Sequence, residues 1–264
     1  MNKFCVIAKN KNTYFIKRLI EEVGQVAVFD PWSDLDFPKA DNYIVRTTGV
    51  YRSDLDLMMI KHRSSENVIN SFDVLNKFRT KKSQYCWFED EQFPSLPWIP
   101  IKSSSLVTIE KFFRLYPELV VKPLAGQGGW GIEVIRWEKF KSWKKKKGPD
   151  QDYLLQPYIK GAKEFRYFFI KGQEPIVMER SALTGITANF QQQGNAKITQ
   201  LPLEHRRTIE DIADKSGAYY GAMDLLLKDD LLYILELNSV PGIEQLEKVS
   251  GKNIIQSFLT GLNS

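Results

Sequence analysis

The sequence predicts an α+β fold whose first seventy residues form a small α/β domain. Three observations carry this prediction. Strand-like and helix-like segments alternate as far as residue 70, strands dominate the second half, and a glycine-rich loop joins two strands rather than a strand and a helix.

Taken in order, residues 4–8 are apolar and strand-like, and residues 13–23 carry Phe15, Leu19, Ile20 and Val23 at helical spacing. Residues 25–29 and 43–46 predict further strands, 53–61 a helix and 68–70 a short strand, which together suggest a parallel sheet. A helix is predicted from Ser71 to about Cys86, with Ser71 as its N-cap. Residues 93–100 hold three prolines and must be extended. Strands follow at 119–123, 131–135, 153–159, 164–170 and 175–180. A helix is expected over 203–217, stopped by Gly217. Residues 222–227 and 231–236 predict a hairpin across Lys228, Asp229 and Asp230, and helices at 242–249 and 253–260 follow it. The expected division is 1–70, 71–155 and 156–264.

Composition narrows the chemistry. The chain has 264 residues and only two histidines and two cysteines, each far from its like. That disfavours a His-metal centre, a Ser-His-Asp triad or a disulfide framework, and leaves Lys, Arg, carboxylates and backbone to carry any catalysis. The longest apolar runs are strand-length, so no membrane partner is expected. The segment 1–8 runs into charge within ten residues, which sets a cytoplasmic expectation. The net charge is +5, much of it in the run of lysines at 144–147, which reads as a solvated loop or as a dock for an acidic partner. No motif that reads nucleic acid accompanies it.

Gly126, Gly128, Gly129 and Gly131 put four glycines in six residues. A dinucleotide turn requires a helix after the loop, but 131–135 alternates like a strand, so that reading fails. A strand–glycine loop–strand hairpin instead lets backbone N–H groups approach phosphate oxygens, with Lys122 in the preceding strand. Glu236 and Asn238 stand two apart at the end of an apolar strand and so share a face. Asp224 lies within the apolar run 222–227, where an ionised acid needs compensation. Either these residues serve the backbone and the surface, or they form an all-oxygen set suited to Mg²⁺ or Mn²⁺ on ATP phosphates.

With these residues in view, the chain resembles the ATP-grasp superfamily, and within it the RimK-type glutamate ligases. The resemblance rests most on residues 235–244 (Leu-Glu-Leu-Asn-Ser-Val-Pro-Gly-Ile-Glu), then Glu247, Lys248 and 250–254. The segments 68–71, 120–123, 154–159 and 222–224 follow the family order. The resemblance implies an ATP-grasp fold, with a parallel-sheet N-terminal domain and two α+β lobes enclosing ATP. It also implies an ATP-dependent ligase that joins a carboxylate to an amine through an acyl phosphate. By this resemblance Lys81 and Lys122 contact ATP phosphates, and Gln156, Pro157, Tyr158 and Ile159 form the hinge against adenine. Glu164 binds the nucleotide, Arg166 and Arg180 line the catalytic face, and Asn189 reaches the phosphates. Asp224, Glu236 and Asn238 become the metal ligands.

The implied partners are ATP, an amino acid and a protein or peptide acceptor, in a homo-oligomeric enzyme. Thr187, Gln191 and Gln192 stand where the family carries basic residues, so the resemblance does not fix the substrates. A small-molecule ligase, and a non-catalytic ATP-binding module, are the two alternatives.

Overall fold

The structure is a computed structural model that describes residues 2–47, 67–124, 131–147, 152–181 and 195–262. The expected helix at 53–61 lies outside these residues.

The N-terminal part forms as the alternation predicts. Strand β1 (Asn2–Ile7), helix α1 (Tyr14–Val23), β2 (Ala27–Phe29), β3 (Ala40–Val45) and β4 (Val68–Ile69) build a parallel sheet in the order β2-β1-β3-β4. Parallel strands hide both faces, so β1 is apolar on both sides: Phe4 and Val6 enter one core and Cys5 and Ile7 another.

The single helix expected from Ser71 is two. Ser71 caps α2 (Phe72–Lys77), accepting the Val74 N–H, and the chain then restarts as α3 (Lys81–Asp90). Thr80 and Ser83 cap each other's backbone at the restart and satisfy donors that a continuous helix would have bonded internally. Strand β5 (Ile99–Pro100) follows the proline-rich stretch. Helix α4 (Leu106–Leu115), absent from the sequence reading, is capped by Ser105 and buries Ile109, Phe112 and Phe113. Strands β6 (Leu119–Pro123), β7 (Glu133–Ile135) and β8 (Tyr153–Pro157) complete an antiparallel sheet in the order β5-β8-β6-β7. The lysine run is not a loop. It forms the last turn of α5 (Trp137–Lys147), where cations suit the helix dipole, and Lys147 pairs with Glu133 at 2.7 Å.

The C-terminal part carries a five-stranded antiparallel sheet in the order β11-β10-β9-β12-β13. Its strands are β9 (Lys163–Ile170), β10 (Ile176–Ser181), β11 (Asn195–Thr199), β12 (Tyr220–Lys228) and β13 (Leu231–Asn238). Strand β11 was not foreseen. Helix α6 (Leu203–Ser216) ends at Gly217, which is left-handed at φ 72°. Asp229 and Asp230, at φ 48° and 62°, make the tight turn of the β12–β13 hairpin. Helices α7 (Glu244–Ser250) and α8 (Ile254–Leu262) close the described chain. No helix among the described residues is long and apolar enough to cross a membrane.

The two faces of this sheet do different work. Phe165, Tyr167, Phe169, Met223, Leu225 and Leu237 face a core shared with α2, α3 and α6, including Val74, Tyr85, Phe88 and Ile209. On the other face Phe168, Ile170, Met178, Tyr220 and Ala222 pack against Phe4, Phe15 and Ile44 of the N-terminal part and Phe258 of α8. Alternation places Glu164, Arg166, Arg180 and Asp224 on this second face, beyond its apolar stretch. Asn70 fastens the two parts. Its side-chain amide donates to the Tyr220 carbonyl at 2.9 Å and to the Ser239 carbonyl at 2.7 Å, and its oxygen accepts the Tyr219 N–H at 2.7 Å.

Candidate active site

The site is built on the register of β9, β10, β12 and β13. Asp224 stands opposite Arg166 on one side and Glu236 on the other, while Glu164 stands opposite Arg180. The register slips by one residue between Asp224 and Leu225, so that Leu235 is extra on β13. Such a bulge leaves backbone groups unpaired and re-aims its neighbours. Helix α3 repairs it: the Tyr85 hydroxyl lies 2.7 Å from the Leu235 carbonyl, and Gln84 accepts the Leu237 N–H at 2.9 Å. Two polar residues on the buried side of a helix were the sequence signal for this role, which the sequence reading missed.

Arg166 grips Asp224 through two parallel bonds, Nε to Oδ1 and Nη2 to Oδ2, both 2.7 Å. Arg180 lies 3.3 Å from Asp224 Oδ2 and hydrogen-bonds Glu164. Burial alone would raise the Asp224 pKa, but Arg166, Arg180 and Lys122 hold its carboxyl well below the ordinary range. Glu164 shifts upward, because burial and the Asp224 charge outweigh Arg180. The four side chains share two guanidinium charges between two carboxylates, and Asp224 takes the larger part.

The second sheet brings Lys122, 8% exposed, to the same charges. Burial first, then the neighbouring Lys81, push its ammonium from 10.5 down to about 8, against the opposing pull of Glu236, Glu164 and Asp224. Gln156, fully buried on the adjacent strand β8, accepts from Lys122 Nζ at 2.8 Å and lies 3.0 Å from the Tyr85 hydroxyl. Lys81, in the first turn of α3, sits 3.8 Å from Glu236.

Most of the residues proposed from sequence therefore converge. Lys81, Lys122, Arg166 and Arg180 oppose Glu164, Asp224 and Glu236, a surplus of one positive charge. Asn238 pairs with Ala222 beside them, and its side-chain oxygen accepts the Val240 N–H at 3.0 Å. Of the hinge residues, Gln156 serves Lys122 directly. Pro157 ends β8 opposite Leu119, the Tyr158 N–H is committed to the Glu118 carbonyl at 3.0 Å, and Ile159 is half-buried. Gly126, Gly128, Gly129 and Asn189, with the departures Thr187, Gln191 and Gln192, lie outside the described residues.

The donors fit the groups expected of them. Gln156 Nε2 and Arg180 Nε are buried without a partner among the described residues, which suits them to a polar ligand. Asp224, Glu236 and the Asn238 amide make a hard oxygen set on adjacent strands, suited to Mg²⁺ in chemistry. Among the described residues no group of three or more His, Cys, Asp and Glu side chains could hold a metal, so the Asn238 oxygen is needed to complete the set. A carboxylate offers about four lone-pair sites. Arg166 takes one on each oxygen of Asp224 and Arg180 stands 3.3 Å from Oδ2, so a second site on Oδ1 has no partner among the described residues.

Residues 92–262 match the model of the RimK-like ATP-grasp domain. A probable alpha-L-glutamate ligase 2 of Pseudoalteromonas atlantica is 28% identical over 287 residues, covering 97% of this chain and 94% of that protein. The tetrahydromethanopterin:alpha-L-glutamate ligase of Methanocaldococcus jannaschii is 27% identical over 203 residues, or 73% of this chain and 68% of that one. Among solved structures, D-alanine–D-alanine ligase from Bacillus anthracis superposes with a TM-score of 0.75 at 16% identity, over 99% of this chain and 95% of that one. The ATP-grasp ligase PsnB complexed with a minimal precursor gives 0.73 at 13% identity, over 99% and 100%. Fold, charged cluster and family match lead to one conclusion: the chain belongs to the RimK-like family of ATP-grasp carboxylate–amine ligases.

Proposed function

We propose that this ligase activates a carboxylate as an acyl phosphate and adds an amino acid, glutamate by analogy with its relatives, to the C-terminal carboxylate of a protein or peptide. The observation that carries the reading is the cluster itself. Four cations and three acids converge from two sheets and one helix, with the Nε of Arg180 buried and unpartnered.

Lys81 and Lys122 hold the phosphates of ATP, with Gln156 keeping the Lys122 ammonium aimed. Arg166 and Arg180 hold the acyl phosphate and then the oxyanion that develops when the amine attacks its carbonyl. Mg²⁺ held by Asp224, Glu236 and Asn238 supplies charge neutralisation at the phosphates. The three sheets support the division at 1–70, 71–155 and 156–264, with α2 and α3 packed on the sheet of the third part. Exposed Lys144, Lys145 and Lys146 support an acidic acceptor, and a homo-oligomer in the cytoplasm completes the reading.

A second reading has a specific basis. One relative's name makes its acceptor a pterin, so a small-molecule acceptor is the alternative. Oxygen-18 in the acceptor carboxylate tests the acyl phosphate, because one labelled oxygen must appear in the phosphate released. Unlabelled phosphate accompanied by product would overturn the mechanism, and the mass of the labelled product separates peptide from small-molecule acceptors.

A further inference from the structure

The carboxyl edge of the parallel sheet carries a cation that the proposed chemistry does not use. Arg46 follows the last residue of β3, and its N–H donates to the Ile7 carbonyl at the end of β1, at 2.9 Å. In open parallel sheets this edge is where ligands bind. The guanidinium is half-buried. It lies 4.4 Å above the centre of the Phe15 ring in the first turn of α1, and one of its terminal nitrogens donates to the Tyr220 hydroxyl at 3.1 Å. Among the described residues its buried Nε has no partner and no carboxylate pairs with it.

Two hydroxyls at the same edge are also spare. Thr13 is the N-cap of α1, yet its side chain makes no capping bond and its Oγ1 is buried and unpartnered. Thr47, 5% exposed and next to Arg46, has a buried and unpartnered Oγ1 as well. A guanidinium with a spare Nε donor, at an edge that also carries spare hydroxyls, matches a planar carboxylate.

Tyr220 ties this edge to the active site. It stands four residues before Asp224 on β12 and on the same face of the sheet. That separation is about 13 Å along the strand. A group held at Arg46 is therefore not the one being phosphorylated but the far end of a substrate.

We propose that Arg46, at the edge that also carries Thr13 and Thr47, forms a subsite for one carboxylate of the amino-acid substrate. This rests on the ligase reading for the identity of the ligand, but the site itself stands on a guanidinium that no carboxylate among the described residues balances.

The test is calorimetric titration of the protein, with magnesium and a non-hydrolysable ATP analogue, by L-glutamate and by its two monoamides, glutamine and isoglutamine. The wild-type protein is expected to bind glutamate, and to bind one monoamide at least tenfold more weakly. Arg46→Gln is expected to weaken glutamate binding about tenfold or more and to abolish that discrimination, with affinity for the nucleotide unchanged. Tyr220→Phe keeps the buried ring but removes the hydroxyl that steadies Arg46, and is expected to weaken glutamate binding severalfold. A cooperative thermal transition in each variant shows that it has folded. Equal binding of all three ligands by wild type and Arg46→Gln, or no saturable binding of glutamate to the wild type, would overturn the proposal. Glutamate binding that depends on Arg46, with no ligation in any assay, would support the subsite and contradict the ligase reading instead.

Discussion

Arg166 and Asp224 face each other across β9 and β12 and are joined by two 2.7 Å hydrogen bonds in a planar fork. Asp224 is thus both a metal-ligand candidate and the anchor of the two guanidiniums proposed to be catalytic. Asp224→Asn keeps the shape but removes the charge that balances them. Turnover is expected to fall about 10²-fold or more, as when a preorganised charge is lost from an active site. Magnesium dependence should shift to higher concentration. A variant with wild-type kcat and magnesium response would remove Asp224 from the site.

The proposed contact of Lys122 with the ATP phosphates predicts that nucleotide binding is sensitive to pH. With its ammonium lowered to about 8 by burial and by Lys81, the free protein loses this charge just above neutrality. The KM for ATP is expected to rise as pH passes through about 8, and Lys122→Met should be weak throughout and flat with pH. The stability sign follows from the same shift. Between about 8 and 10.5 the unfolded chain holds more protons than the folded one, so this lysine makes folding more favourable as pH rises through that window. A pH-independent KM in the wild type would contradict the account of Lys122.

Gln156 aims that lysine, since its oxygen is the hydrogen-bond acceptor 2.8 Å from Lys122 Nζ. Gln156→Leu leaves a buried ammonium without this acceptor, at a cost of about 1–3 kcal/mol. The expected result is a lower Tm and a KM for ATP raised severalfold, with the KM for the amino acid unchanged. An equal effect on both substrates would mean that Gln156 supports the whole site rather than the nucleotide.

Glu247 joins the N-terminal part to the end of the chain. One carboxylate oxygen accepts from the Tyr14 hydroxyl at 2.8 Å and Arg18 Nε at 2.9 Å, and the other from the Ile254 N–H at 2.8 Å. Burial would raise its pKa, but these donors lower it on balance. Its contribution to stability is therefore present above the ordinary glutamate range and is lost as pH falls through the lower folded value. Glu247→Gln is expected to cost about 2 kcal/mol at neutral pH. Acid-unfolding curves should converge with wild type at low pH; a constant gap down to low pH would show that the charge is not what holds the joint.

Much of this was legible in the sequence, for reasons that can be named. Strand alternation put Glu236 and Asn238 on one face before any pairing was known, and the apolar run 222–227 singled out Asp224, whereas Arg166 entered only through the family resemblance. Strand period fixes side-chain direction, so an acid in an apolar run declares itself. The break between α2 and α3 was hidden because Thr80 and Ser83 form a capping box without the usual Glu or Gln. The helical lysine run was misread because its charge masks the two residues, Phe140 and Trp143, that bury α5. Arg46 looked like any strand-end arginine. Only the want of a carboxylate partner among the described residues, a property of the folded chain, sets it apart.

The central claim is that this cluster couples ATP cleavage to joining a carboxylate and an amine. The most direct measurement is ADP release from Mg-ATP against a panel of amino acids, with and without acidic peptides, coupled to mass spectrometry of the products. The account predicts release that needs both an amino acid and a carboxylate acceptor, equimolar with a product heavier by one amino-acid residue, and lost in Asp224→Asn. ADP release indifferent to both partners, or unchanged in that variant, would contradict it.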